Sequence, residues 1–378
     1  MRCRILYLVG QLGGGGLERQ LYYLFQVLDR ERYQPALAVW NPQDIDVYRE
    51  AIETLGIRVH VFRSGASRTE KLFAFRRLVR QLQPEVVHSY SFHTNFAASW
   101  GVLGTRAIAI GSVRSDSIEA KRQTGPLLGR LSARWPRHQI FNSRAAAQSA
   151  QQSRGFFAPS GLSVIRNGVD LQTFRYLPLP SETRARILCV GSLRPVKRWD
   201  RLLRVIAQLR VRELDFDVQI AGEGPLRAQL QQQIVSLGLS SCVHLLGYCS
   251  DIPDLLARSW MLTHTSDSEG CPNVVGEAMA CGRPTIATDV GDVNSLVENG
   301  VTGFVVSRQD EAAFADRIAT VVTSRSICAR MGRAARAKAE KELSIERLVT
   351  ETLNVYRNNG WSDSADVSTA KRGFTCAG

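Results

Sequence analysis

Two glutamates, Glu269 and Glu277, bracket the stretch Gly270-Cys271-Pro272-Asn273-Val274-Val275-Gly276. Pro272 suits the first turn of a helix, where its missing N–H is not needed. Gly282 followed by Arg283-Pro284 reads as the end of that helix. The pattern predicts a helix starting near Asn273, with Glu269 just before it and Glu277 one turn inside. Asn273 is the one capping side chain on offer. The first-turn amides of Asn273, Val274 and Val275 are then placed to meet an anion, which the helix dipole also favours. Carboxylates on either side of such an anion accept hydrogen bonds from hydroxyls, and a nucleotide-sugar presents both groups. By spacing alone, a surface helix with two solvated glutamates fits as well.

A second candidate for anion chemistry lies near the start. The apolar run Arg4 to Val9 leads into Gln11-Leu12-Gly13-Gly14-Gly15-Gly16, after which Leu21, Leu24, Phe25 and Leu28 recur at helical spacing. Strand, glycine loop and helix in that order form the phosphate-binding turn of a Rossmann-type unit, although many such loops are only tight turns. Asp44-Ile45-Asp46 and Asp215-Phe216-Asp217 imitate a metal-binding Asp-x-Asp. The first lies in a polar loop and the second at a strand entrance, so both read as structural, and no metal or other cofactor is expected.

The elements that must hold these groups alternate between strand and helix. Ala36–Trp40, Val59–Phe62, Ile108–Val113, Ile187–Val190, Val218–Ala221 and Val243–Leu246 read as strands. Thr69–Gln83 reads as an amphipathic helix, and 312–341 as helical. Alternation of this kind predicts an α/β protein with parallel sheets, and 378 residues leave room for two domains and two cores. No apolar run approaches the roughly 18 residues that span a bilayer. Eight cysteines are scattered without a Cys-x-x-Cys pair, which fits a reducing cytosol better than secretion. Residues 1–175 hold 24 Lys+Arg against 12 Asp+Glu, and the remainder 24 against 23. A basic half beside a neutral half suggests an anionic partner for the first. In 121–137, Lys121, Arg122, Arg130, Arg134 and Arg137 interleave with Leu127, Leu128, Leu131 and Trp135. That mixture can lie on an anionic membrane surface, or it can be a solvated helix. No recognised nucleic-acid motif is present.

The string Glu269 to Gly291, with Glu-x7-Glu at its head, closely resembles glycosyltransferase family 4, whose members are retaining enzymes of the GT-B fold. The resemblance covers roughly residues 4 to 357; it is specific in the second half and looser in the first. Gly15-Gly16-Leu17-Glu18-Arg19 is similar to the family's Gly-Gly-Ala-Glu-Arg opening, which implies that Gly15 and Gly16 approach donor phosphate and acceptor. The family's His-x-His falls at His88, with Tyr90 in place of the second histidine; His88 and His93 are the candidates on the acceptor side. Asn167-Gly168-Val169-Asp170 matches the marker before the interdomain linker, here Leu177–Glu182. Gly191-Ser192-Leu193-Arg194-Pro195-Val196-Lys197 resembles the loop whose Arg and Lys grip the donor diphosphate. Lys197 keeps the lysine position, while Ser192 stands where the arginine belongs and Arg194 is the replacement on offer. Gly222-Glu223-Gly224-Pro225 is similar to the family's Gly-x-Gly-Pro turn, and backbone near Gly247 to Ser250 is implied near the base.

By resemblance, the architecture is GT-B: two Rossmann-like domains facing across a cleft. Residues 1–176 would bind acceptor and 183–343 the nucleotide-sugar donor, with 344–357 a helix returning to the first domain and 358–378 a disordered tail. The implied reaction moves a sugar from a nucleoside-diphosphate donor, a UDP-sugar, to a hydroxyl of a glycan or lipid-linked acceptor, with the protein cytoplasmic or peripheral at the inner membrane face. Lys197 and the tip of the Asn273 helix would stabilise the departing diphosphate, Glu277 hold ribose hydroxyls, and Glu269 the sugar near the anomeric carbon. Gly270, Val274 and Val275 complete the donor set. Two rivals stand beside this reading: a sugar-nucleotide epimerase of the same fold, and a non-catalytic nucleotide-sugar-binding subunit.

Overall fold

The computed structural model describes residues 3–114, 124–152 and 158–362. These divide into two compact units, one made of residues up to Asn142 with Ala147–Ile165 and everything from Leu348, the other of Ser143–Ala146 and Arg166–Arg347.

The first unit is built on a seven-stranded sheet in the order β3-β2-β1-β4-β5-β6-β7. Its strands are β1 Ile5–Val9, β2 Pro35–Val39, β3 Arg58–Val61, β4 Val86–Ser89, β5 Ile108–Val113, β6 His138–Phe141 and β7 Gly161–Val164, and neighbours pair in parallel throughout. All five residues of β1 are buried, as expected for a strand covered on both faces. Successive side chains point to opposite faces: Ile5, Tyr7 and Val9 join one apolar layer, Leu6 and Leu8 the other. Helix α1, Gly16–Val27, follows β1, and helix α2, Arg68–Leu82, follows β3. Ser67 and Glu70 form a reciprocal capping box at the start of α2, which satisfies two otherwise unpaired donors. A further helix, α3, Pro126–Arg134, precedes β6.

The second unit holds a six-stranded sheet in the order β10-β9-β8-β11-β12-β13. Its strands are β8 Ala185–Val190, β9 Phe216–Ala221, β10 Val243–Gly247, β11 Met261–His264, β12 Thr285–Thr288 and β13 Gly303–Val306, again all parallel. Helix α4, Trp199–Val211, follows the β8 loop, and helix α5, Asn273–Ala280, follows the β11 loop. The helical reading of 312–341 is met by two helices: α6, Glu311–Val322, and α7, Arg325–Glu342. Ser324 ends one and caps the next by accepting from the Ile327 amide, the usual preference of serine.

The last helix, α8, runs Ile345–Asn358. From Leu348 on it belongs to the first unit, with Leu348, Val349, Leu353 and Tyr356 in the core beside Ile5, Tyr7 and Leu24. The division between units falls earlier than the linker expected at Leu177–Glu182. Residues from Arg166 already pack with the second unit, Val169 and Phe174 lying in its core and Arg166 pairing with Glu342. Lys121, Arg122, Cys376 and the tail beyond Ser362 lie outside the described residues.

Candidate active site

In an open parallel sheet, ligands gather at the carboxyl ends of the strands, where the strand order reverses. In the second unit that point lies between β8 and β11. The loops leaving these strands carry Lys197 and Glu269, and Lys197 Nζ donates to Glu269 Oε1 at 2.6 Å. The Lys197 backbone is tied down: Thr265 Oγ1 donates to its carbonyl at 3.0 Å and the Asp267 amide donates to Val196. His264, at the end of β11 and 4% exposed, brings its Nε2 within 3.1 Å of the same Glu269 oxygen. Burial alone would raise the Glu269 carboxyl; the His264 hydrogen bond and charge, with the Lys197 ammonium, outweigh it and hold the group well below the ordinary carboxylate range. Glu269 is therefore a carboxylate throughout the neutral range, an acceptor for hydroxyl groups.

Helix α5 starts at Asn273 with Pro272 as its cap residue, and that cap makes no side-chain hydrogen bond. Asn273 does not cap its own helix. Its Oδ1 accepts from Asn167 Nδ2 at 2.7 Å, and the same amide donates to the Cys271 carbonyl at 3.1 Å. Asn167 thus anchors the helix entry. Glu277 is 3% exposed, one turn in, Val275 is fully buried and Val274 partly so. The Gly270 carbonyl accepts from the Asp292 amide at 2.9 Å.

The β8 loop meets the β9 loop backbone to backbone. Gly222 has φ of +152°, and a Cβ there would stand 1.9 Å from the Gly191 carbonyl oxygen; only glycine fits. Its amide donates to the Gly247 carbonyl at 2.7 Å, so Gly191, Gly222 and Gly247 align three strand ends. Ser192 is exposed, its carbonyl held by Trp199 Nε1 at 3.0 Å. Arg194 is exposed beside it. Arg198 and Arg201 turn to Asp267, at 2.8 and 2.7 Å, and serve the loop's framework. Asp215 and Asp217 are paired with Arg184 and Arg186, and Asp46 accepts from the Leu12 amide. Among the described residues there is no cluster of three His, Cys, Asp or Glu suited to a metal.

In the first unit the strand order reverses between β1 and β4. Gly15 caps α1 in extended conformation without a side-chain bond, and Gly16 opens the helix. His93 follows β4, and a Cβ on Gly10 would lie 2.3 Å from its Cε1; β1 ends in glycine because the imidazole occupies that space. His88 is a different matter. It is fully buried, with Nδ1 2.7 Å from the Tyr356 hydroxyl and Nε2 2.8 Å from Ser112 Oγ. Burial, with the nearby Arg114 charge, pushes its pKa well below the ordinary value. Both ring nitrogens are spoken for, so the expectation of an acceptor-side role for His88 is corrected: it is a neutral core residue clasping α8. A cavity of about 920 Å³ opens at this crevice, lined by Gly10, Glu18, Arg68, Lys71, His93 and Arg114 among others.

A family model described as Glycosyl transferases group 1 matches residues 175–338, and one described as Glycosyltransferase Family 4 matches residues 14–173. The chain belongs to glycosyltransferase family 4. Within the family, N-acetyl-alpha-D-glucosaminyl L-malate synthase of Bacillus anthracis is 28% identical over 47% of this chain and 46% of that protein. D-inositol 3-phosphate glycosyltransferase of Frankia alni is 32% identical over 42% of this chain and 44% of that protein. The matched part thus spans about half the length of these curated relatives. The crystal structure of HepE from Anabaena in complex with UDP superposes with a TM-score of 0.80 at 21% identity, covering 94% of this chain and 100% of that one, which establishes the GT-B fold.

For a family 4 chain, the residues singled out by sequence fall into two groups, one per unit. Lys197, Glu269, Gly270, Asn273, Val274, Val275 and Glu277, with Ser192, Arg194, Gly222 and Gly247, belong to the second; Gly15, Gly16 and His93 to the first. His264, Asn167 and Arg201 were missed. Asn167 and Arg201 act on Asn273 and Asp267, 106 and 66 residues away, whereas the histidine, five residues before Glu269, left a local trace.

Proposed function

We propose that this family 4 chain transfers a glycosyl group from a UDP-sugar to a hydroxyl acceptor, with retention of anomeric configuration. The observation that carries the reading is the Lys197–Glu269 pair beside the α5 tip, at the point where the second sheet reverses its order. The departing diphosphate gathers negative charge as the glycosidic bond breaks, and preorganised positive groups stabilise it most. Lys197 and the first-turn amides of α5 supply that charge, with exposed Arg194 in reach of solvent where the loop lacks its arginine. Glu277 holds ribose hydroxyls and Glu269 sugar hydroxyls. Neither is required as a nucleophile, since the leaving phosphate can take the acceptor proton on the same face. The UDP in the Anabaena crystal structure and the glycosyl-transferring names of the curated relatives support this choice of donor.

The setting we propose is assembly of cell-surface polysaccharide on a glycan or lipid-linked acceptor at the inner membrane face. Its support is the basic first half of the chain and Leu127 exposed on α3 near Arg130. Among the described residues no helix is long and apolar enough to cross a membrane.

Incubation with labelled UDP-sugars is the test. A transferase releases UDP only when an acceptor is supplied. Rearrangement of the donor sugar instead would establish the epimerase, and UDP-sugar binding without turnover across acceptors the non-catalytic subunit.

A further inference from the structure

Lys71, on the first turn of α2, is 7% exposed, yet its Nζ donates to a neutral group, Asn41 Oδ1, at 2.8 Å. Among the described residues no carboxylate forms an ion pair with it. An ammonium withdrawn from water without a counter-ion is costly, and burial accordingly pushes its pKa down. It lines the cavity at the β1–β4 crevice together with Arg68, Arg114, His93 and Glu18. Arg68 is exposed, and Arg114 lies over the Tyr90 ring, 3.8 Å from its centroid. The sole carboxyl among these five, Glu18, is 7% exposed, and burial pushes its pKa up. Desolvation of the ring and the Arg68 charge push the His93 pKa down. Glu70, on the same turn as Lys71, is engaged with the Ser67 amide in capping α2.

We propose that this cavity seats the acceptor, and that the acceptor carries an oxyanion, phosphate or carboxylate, bound by Lys71 and Arg68. The inference rests on the transferase reading for its biological sense. Its physical content is anion binding in the first unit, which can be measured without turnover. A phosphate and a carboxylate are both planar or tetrahedral acceptors that charged donors hold at short range, and either repairs the missing counter-charge of Lys71. The hydroxyl that becomes glycosylated would then lie toward Glu18 and His93, which offer a carboxyl and an imidazole to it.

The test is thermal unfolding of the full chain with saturating UDP, titrated separately with sn-glycerol 3-phosphate, glycerate and glycerol. UDP occupies the donor site, so that site does not report the probes. Stabilisation by either charged probe but not by glycerol is expected, with affinity falling by about tenfold in Lys71→Met and in Arg68→Gln, the loss of one charge-assisted contact. Sedimentation with phosphatidic acid in phosphatidylcholine vesicles distinguishes the source of the anion. Vesicle binding lost in the same variants, without response to the soluble probes, assigns it to a lipid headgroup and also supports the proposal. An equal response to glycerol, an unchanged response in both variants, or no response to any probe or vesicle overturns it. Lys71→Met is expected to leave the unliganded chain at least as stable as the parent; Arg68, being exposed, provides a variant that folds in any case. Failure of UDP itself to stabilise the chain would overturn the donor reading and leave this one standing.

Discussion

At the scale of single residues, Glu269 is held as a carboxylate by two neighbours of different kinds, a lysine and a histidine. Its folded-state pKa lies below the ordinary 4.5. A carboxyl of that kind contributes stability that is complete above its unfolded value and is lost as pH falls toward the folded one. Glu269→Gln should therefore be less stable than the parent at neutral pH, with the difference closing only as pH drops below about 4.5; thermal unfolding of both across pH 3 to 7 measures it. A gap that persists unchanged to the acid end would mean the carboxylate form is not what the fold stabilises. Removal of charge at Lys197 acts on chemistry instead. Lys197→Met and Glu277→Gln should each lower turnover of a UDP-sugar by about tenfold to a hundredfold, since one charge-assisted contact contributes roughly 1.5–3 kcal/mol. Near-normal rates in both would refute the donor assignment.

At the scale of elements, the loop after β8 and the loop after β9 touch through glycine backbone alone. Gly222→Ala would drive its Cβ into the Gly191 carbonyl and should cost about 1–3 kcal/mol or more, read as a fall in unfolding temperature and in UDP affinity together. Tyr356→Phe tests a contact of the opposite kind: it removes the hydroxyl that meets His88 at 2.7 Å and leaves a buried ring nitrogen short of a partner, at a cost of about 1–3 kcal/mol. These two positions also show what the sequence could disclose. The glycine was legible through the resemblance of Gly-Glu-Gly-Pro to the family's turn. Helix α5 was legible to its first residue, because proline and the apolar run fix its phase. His88 was not, since a histidine at a strand's end looks alike whether it faces a ligand or a tyrosine 268 residues away. The contacts of Asn167 and Lys71 were silent for the same reason, even though Asn167 stood out as part of the linker marker: their partners, Asn273 and Asn41, are announced by nothing local. The helical character of 312–341 was legible, and the division at Ser324 rests on its cap, since alanine and arginine continue the helical period on both sides.

At the scale of the whole molecule, the excess positive charge of residues 1–175 is the largest electrostatic feature. Association with vesicles rich in phosphatidylserine is expected, weakening steeply as salt rises, because surface attraction falls off within a Debye length. Neutralising Arg130 and Arg137 by glutamine should weaken it further without changing UDP binding. Equal association with neutral vesicles would remove the membrane from the proposed setting.

The return of the chain to its first unit at Leu348 bears on how the protein is made. While the ribosome is still adding the last helix, the second unit already has every strand it needs. The first has its sheet but lacks Leu353, Tyr356 and Trp361, so an oily face beside β1 stays open until α8 has been made. Nascent chains stalled before Leu348 should be captured by chaperones through that face, and release should await the final turn of α8.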